Sequence, residues 1–365
     1  MRTFNFLRTA VLTTAATLGL WAMNPAEACT GISLRSKDGA KVIGRTMEWG
    51  GFYMESHLMV VPRGYVRWGM TPSGEQGMKF VSKYGYTGIG VLDGNYAAEA
   101  INEKGLMGEL FYFPGGVYEA YDPANNATTI CDVQFLDWAL GNFATIEELL
   151  PALKQIHVVG YGHGFDSAHF NLADATGRQV VVEYIGGKLH VFENEVGIIT
   201  NAPEFDWHLT NLRNYINLAA GTSPTIKLAS GTEFKTTGVG SAAAGLPGAL
   251  TPPARFVRAA FYAYTAPQQE TSYRTTMQIF QLLNNFDIPI GTEFDDPAKF
   301  TKNLLSATQW TTVSDLKEMK FYYRTEWNSM IRCIDLKKID FGKVAYQQKD
   351  LDRIKEQPIE YIEFK

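Results

Sequence analysis

Hydrophobic and polar positions alternate in two different rhythms along this chain, and the two rhythms fall in separate blocks. Residues 29–62 read as strands: Ile32-Ser33-Leu34 alternates, Lys37-Asp38-Gly39 makes a turn, and Val42-Ile43-Gly44-Arg45 resumes. Between residues 128 and 156 the period lengthens to that of a helix. Phe135, Leu136, Trp138, Ala139 and Leu140 form an apolar face, and Thr145-Ile146-Glu147-Glu148 is a capping box that opens a second helix. Pro151 restricts that helix to a short one or kinks it. Residues 168–200 return to hairpins, with turns at Asp174-Ala175-Thr176-Gly177 and Gly186-Gly187. Pro252 and Pro253 suit a helix start after Thr251, with Phe256, Val257, Ala260, Phe261 and Tyr264 facing inward. A further helical face runs through Tyr273, Met277, Phe280, Leu283 and Asn284, and strands near 320–324 and 330–336 follow.

Strand blocks segregated from helix blocks predict layered α+β packing, with helices on the outer faces of two stacked antiparallel sheets, and not a βαβ alternation. No linker, repeat or low-complexity tract divides the chain. Its composition, 45% hydrophobic and 19% charged over 365 residues, is that of a folded globular protein. A net charge of −5 with no basic run argues against a nucleic-acid partner. HExxH, the phosphate-binding GxxxxGK[ST] and the GxSxG elbow are all missing from the sequence. The Gly238–Gly248 stretch has GxG spacing but follows no strand, so it reads as a flexible loop near a pocket. His157, His163 and His169 are six apart, a spacing that fits no helical or strand ligand face, so no metal is expected. Cys131 and Cys333 either pair in an oxidising compartment or remain buried free thiols.

Residues 1–28 read as a cleavable secretory signal. Arg2 and Arg8 give a positive start, Ala10 to Met23 an apolar stretch, Asn24-Pro25 a helix break, and Ala26-Glu27-Ala28 the small residues a signal peptidase reads. That apolar stretch spans about 21 Å of helix, short of the ~30 Å hydrocarbon core, so no membrane span is expected after processing. A periplasmic or secreted protein follows, with residues 29–365 as one catalytic domain. Cleavage after Ala28 makes Cys29 the new N-terminus, which places a thiol and a free α-amine on one residue. The amine, with a pKa near 7.7–8.0, can accept the thiol proton close to neutral pH, so nucleophile and base come from a single residue. The competing reading is a lipid-anchored, non-catalytic binding protein. Lipidation sites carry Leu at −3 and a small residue at −2, whereas Ala26 and Glu27 stand there.

Cys29-Thr30-Gly31-Ile32 followed by Gly44-Arg45-Thr46-Met47-Glu48-Trp49 resembles the choloylglycine hydrolase family, which includes bile salt hydrolases and penicillin V acylases. Further matches follow in order: Asn102-Glu103-Lys104-Gly105-Leu106, Thr200-Asn201-Ala202-Pro203-Glu204-Phe205-Asp206-Trp207-His208, Gly245-Leu246-Pro247-Gly248 and Pro253-Ala254-Arg255-Phe256. The resemblance implies the four-layer αββα sandwich of N-terminal-nucleophile hydrolases, hydrolysis of a linear amide in a small-molecule N-acyl substrate, no metal or cofactor, and a homotetramer. It makes Cys29 the nucleophile, Arg45 the arginine beside it, Asn201 the oxyanion-hole amide and Arg255 a further catalytic-site arginine. Glu48 stands where the family usually has Asp, which contacts the N-terminal amine. Tyr112 matches the position that is Asn in bile salt hydrolases and Tyr in penicillin V acylases.

These residue types also suit the chemistry. A fixed charge at Arg45 favours a thiolate, a carboxylate at Glu48 can hold the amine as it gains a proton, and Asn201 can donate to a carbonyl oxygen turning negative. A backbone N–H near Tyr112 would complete the oxyanion site. The aromatic runs Phe52-Tyr53-Met54 and Phe111-Tyr112-Phe113 suit an apolar acyl group. The bland alternative makes Arg45 and Glu48 a surface ion pair and Asn201 a turn residue. Tyr112 and the Trp207-His208 segment point first to phenoxyacetyl amides, then to conjugated bile salts and N-acyl homoserine lactones.

Overall fold

The computed structural model describes residues 27–92, 95–160, 162, 167–292 and 304–364. The signal segment up to residue 26 and His163 lie outside the described residues. Two antiparallel sheets carry the architecture. In the first, the strand order is Ile198–Ile199, Glu27–Arg35, Lys41–Trp49, Thr308–Asp315, Lys320–Thr325, Arg332–Asp335. In the second it is Lys188–Glu193, Gln179–Ile185, Ala168–Ala173, Met107–Tyr112, Tyr96–Asn102, Tyr86–Val91, His57–Val61, Gln347–Asp350. Helices α1 (Phe135–Asn142) and α2 (Ile146–Leu153) belong to the outer face of the second sheet; α1 rests on Tyr96–Asn102 and Met107–Tyr112. After α3 (Phe205–Leu212), α4 (Pro252–Thr265) and α5 (Ser272–Leu283) cover the first sheet. The layers are therefore α, β, β, α, as the segregated rhythms predict.

Period two explains the layering. On the strand Lys41–Trp49, Gly44 faces α5: a Cβ added there would lie 2.8 Å from Ile279 Cγ2 and 2.6 Å from the Thr312 carbonyl oxygen. Arg45, the next residue, points to the second sheet and donates to the Leu110 carbonyl. One apolar cluster fills the space between the sheets and below α4 and α5, through Ile32, Ile43, Ile101, Met107, Phe280 and Phe321. The other seals α1 and α2 onto the second sheet with Leu110, Phe135, Leu136, Leu149 and Phe170. Among the described residues, no helix is long and apolar enough to cross a membrane.

Local signals succeed where the backbone alone sets them. The Thr145 hydroxyl accepts from the Glu148 N–H at 3.2 Å, and the Glu148 carboxylate returns to the Ala144 N–H, one residue before the expected partner. Pro151 lies within α2, which ends two residues later. Helix faces are less faithful. Tyr264 is 84% and Tyr273 62% exposed; the buried face of α5 is Thr275, Thr276, Ile279, Phe280 and Leu283. The strand Thr308–Asp315 was not anticipated, because it is buried on both faces and mixes hydroxyl residues with Trp310 and Val313 in no simple alternation. Cys131 is buried and Cys333 exposed, and both are free thiols.

Candidate active site

Strand register assembles the site. Gly31 pairs with Ile199 on one side of the first strand and with Arg45 on the other. Continuing these antiparallel registers by two residues sets Cys29 opposite Met47 and brings Asn201 alongside it. The Cys29 N–H donates to Asn201 Oδ1 at 2.9 Å. Asn201 Nδ2 donates to the Tyr112 carbonyl at 2.8 Å, which ties the second sheet to the same point and leaves one further amide hydrogen on Nδ2.

Arg255 comes from the first turn of α4 and is fully buried. Its guanidinium donates to Asn201 Oδ1 at 2.7 Å, to Thr30 Oγ1 at 2.8 Å, to the Leu250 carbonyl at 2.8 Å and to the Cys29 carbonyl. These bonds fix the amide orientation of Asn201, since only its oxygen can accept from both Arg255 and Cys29. The loop carrying Asn201 is held from behind. His208 donates from Nε2 to the Asn201 carbonyl at 2.9 Å, and His169 Nε2 meets the Thr200 carbonyl at 3.1 Å. The His208 ring stacks on Phe256 at 4.6 Å, and burial pushes its pKa down to about 4.

Arg45 and Glu48 are three residues apart on one strand and so face opposite sides of the sheet. Their surface ion pair does not form, and both are fully buried. The Arg45 guanidinium lies 4.1 Å from the Phe111 ring centroid and 5.3 Å from that of Trp310. Glu48 accepts from Thr308 at 3.3 Å, while its second oxygen, Oε2, has no hydrogen-bond partner among the described residues. Burial raises the Glu48 pKa to about 8 against the pull of Arg255 and Arg45. Burial also pushes the Cys29 thiol up, with Arg45 the strongest opposing influence. Ala28, the residue before Cys29, pairs with Glu48 and packs against Ile288 and Ala307.

The structure thus brings Cys29, Arg45, Glu48, Asn201, Arg255 and the Tyr112 backbone together. It does not spare Phe111 and Phe113 for a pocket: both are core residues, Phe111 beneath Arg45 and Phe113 stacked on His169. Phe52, Trp49 and Tyr112 form an edge-to-face series, with ring centroids 5.5 and 6.0 Å apart. Sequence reading missed the polar layer behind Arg45. Glu99 and Glu109 pair across adjacent strands, both fully buried, with Thr312 donating to Glu99 and Asn171 to Glu109 at 2.6 Å. Their acidity falls: burial and the Glu109 charge raise Glu99 well above the carboxylate range, and burial raises Glu109 to about 7. Carboxylates at inward positions of otherwise apolar strands were the available signal.

Residues 29–353 match the family described as linear amide C–N hydrolases, choloylglycine hydrolase family. The chain belongs to this family. The match begins at Cys29, the residue on which the site converges. A bile salt hydrolase/transferase of Clostridium perfringens is 31% identical over 85% of this chain and 93% of its own length. A penicillin V acylase of Pectobacterium atrosepticum is 26% identical over 85% of this chain and 81% of its own. The crystal structure of a mutant conjugated bile acid hydrolase from Clostridium perfringens superposes with TM-score 0.79 at 28% identity, covering 92% of this chain and all of that one. The penicillin V acylase of Agrobacterium tumefaciens does so with TM-score 0.71 at 25% identity, covering 89% and 92%. This choloylglycine hydrolase family member is an amidohydrolase with the N-terminal-nucleophile sandwich.

Proposed function

We propose that Cys29, freed by removal of residues 1–28 on export to the periplasm or beyond, is the nucleophile of an N-acyl amide hydrolase that prefers phenoxyacetyl amides such as penicillin V. The observation that carries the reading is the 2.9 Å bond from the Cys29 nitrogen to Asn201 Oδ1, in a site where Arg255 fixes that oxygen. On cleavage the same nitrogen becomes a primary amine beside the same acceptor. One N–H keeps the bond and the lone pair is left to take the thiol proton. Sulfur then attacks the amide carbonyl and its oxygen gains charge. The second Nδ2 hydrogen of Asn201 and a backbone N–H near Tyr112 supply the donors for that oxyanion. The protonated amine passes its proton to the leaving nitrogen, and water cleaves the thioester. Glu48, with its unpartnered oxygen, is the group on hand to steady the ammonium.

The phenoxyacetyl preference rests on Trp49, Phe52 and Tyr112, whose edge-to-face series suits a flat aromatic acyl group. Conjugated bile salts are the second reading, favoured by the 31% identity to a bile salt hydrolase/transferase. Specificity constants for penicillin V, glycine- and taurine-conjugated bile salts and acyl homoserine lactones separate the two. Penicillin V is expected to lead. A bile salt in first place transfers the assignment to the second reading, and no turnover of any amide sinks both.

A further inference from the structure

A cleft of about 640 Å³ opens between α4, the chain following α3, and the edge of the first sheet. Its walls are apolar: Leu212 and Ile216 on one side, Val257, Phe261 and Tyr264 of α4 on the other. Ile216 and Tyr264 are 85% and 84% exposed, large hydrophobic surfaces that water covers at a cost of roughly 25 cal/mol per Å². The volume lies within the range of small-molecule sites, roughly 300–1,000 Å³. The active site is built from the Cys29 end of the same strand, whereas this cleft takes Ser33 to Arg35 from the other end; the two share no residue.

The polar end of the cleft is cationic. Lys41 Nζ donates to Ser33 Oγ at 2.9 Å and forms no ion pair with a carboxylate among the described residues. The single Ser33 hydroxyl hydrogen is shared between Gln179 Oε1 at 2.9 Å and the Gly197 carbonyl at 3.1 Å, so the hydroxyl beneath the ammonium is held in place. Arg35 is the second cation, its guanidinium bound to the Gly177 carbonyl at 2.6 Å, and Glu195 is the one carboxylate in the lining. Burial, with the Arg35 charge adding to it, lowers the Lys41 pKa to about 8. A half-enclosed ammonium without a counter-ion, at the end of an apolar trough, complements one kind of molecule: a carboxylate carried on an apolar body.

We propose that this cleft binds an amphipathic monocarboxylate, with the carboxylate on Lys41 and the hydrocarbon along α4. Two charge-assisted bonds to Lys41 and Arg35 are within the chemistry of the lining, and the apolar tail covers Ile216, Phe261 and Tyr264. The acid that amide hydrolysis releases is of this class, so the site also places the reaction's own product within reach of α4, the helix that carries Arg255.

The test is calorimetric titration of the full chain with decanoate, with decanol as the uncharged control. Decanoate can also enter the active site, so the cleft is read from variants. Lys41→Met keeps the stem and removes the charge; Ala260→Trp fills the trough from α4. The wild type is expected to bind decanoate in a class of sites that Lys41→Met weakens at least tenfold and Ala260→Trp abolishes, with the melting temperature of ligand-free Lys41→Met within a few degrees of wild type. Decanol binding is expected to change less than twofold in Lys41→Met. Decanoate binding that neither variant alters overturns the proposal. So does a wild type that binds no decanoate; a change of oligomeric state in Ala260→Trp by light scattering then makes the cleft the seat of a second copy. Neither outcome bears on the chemistry at Cys29, and an inactive enzyme would leave the binding result standing.

Discussion

The Cys29 nitrogen has its acceptor in Asn201 Oδ1, and Arg255 holds that oxygen from the other side. Cys29→Ala is expected to abolish amide hydrolysis while circular dichroism and melting temperature stay near wild type, since a small residue already fits the buried strand. Turnover in that variant would remove the mechanism. Asn201→Ala is expected to lower kcat at least tenfold, in keeping with the ~2.7–4 kcal/mol that an oxyanion donor contributes; a change confined to KM would assign Asn201 to binding. His208 gives a pH signature. Its folded pKa of about 4 lies below the unfolded value near 6.5. The stability it contributes is complete above about pH 6.5 and is lost as the pH falls through 4. His208→Gln keeps a donor for the Asn201 carbonyl and has no ring to protonate. Its melting temperature is therefore expected to drop less than that of wild type between pH 7 and 4; equal drops would place the acid sensitivity elsewhere.

Elements carry the next level of precision. The approach of α5 to the first sheet depends on Gly44, because an added methyl would meet Ile279 and the Thr312 backbone at under 3 Å. Gly44→Ala is expected to cost about 1–3 kcal/mol in urea unfolding, the range of an overpacked core. A loss of activity larger than the loss of folded protein would show that the shift reaches Arg45 next door. The family motif Asn102-Glu103-Lys104-Gly105-Leu106 proves structural at this scale. Asn102 Oδ1 accepts from the Lys104 and Leu106 N–H groups, its amide caps the end of α1 at Leu140 and Phe143, and Gly105 has a φ of +87°. The strands of residues 29–62 and 168–200, their turns and the helix starts at Thr145 and Pro252 were legible because neighbours in sequence decide them; the strands Tyr86–Val91, Tyr96–Asn102, Met107–Tyr112 and Thr308–Asp315 were not. The inward side of α4 and α5 was not, since Tyr264 and Tyr273 are apolar enough to fit the helical period yet are 84% and 62% exposed, near the end of α4 and the start of α5.

At the scale of the whole molecule, the two sheets enclose charge as well as hydrocarbon. Arg45 from one sheet faces Glu99 and Glu109 from the other, and Phe111 and Trp310 shield it from water. Removing the cation leaves two buried acids without it, so Arg45→Leu is expected to cost about 3–5 kcal/mol and to inactivate the enzyme. Adding Glu109→Gln should return part of the stability and none of the activity; equal stability in the single and double variants would mean that Arg45 and Glu109 do not interact. Sequence determined what depends on residue type and order: segregated strand and helix blocks, and the ordered motifs, from Cys29 to Arg255, that carry the family resemblance. The sequence left a surface ion pair between Arg45 and Glu48 open; the strand they share, through its period of two, turns them to opposite faces. Only the tertiary structure decided that Asn201 meets the Cys29 nitrogen through its oxygen, that Phe111 belongs to the core, and that two acids lie behind Arg45. Those are contacts between strands and loops far apart in sequence, fixed by register and by the cost of leaving buried polar groups unpaired, and no local pattern records them.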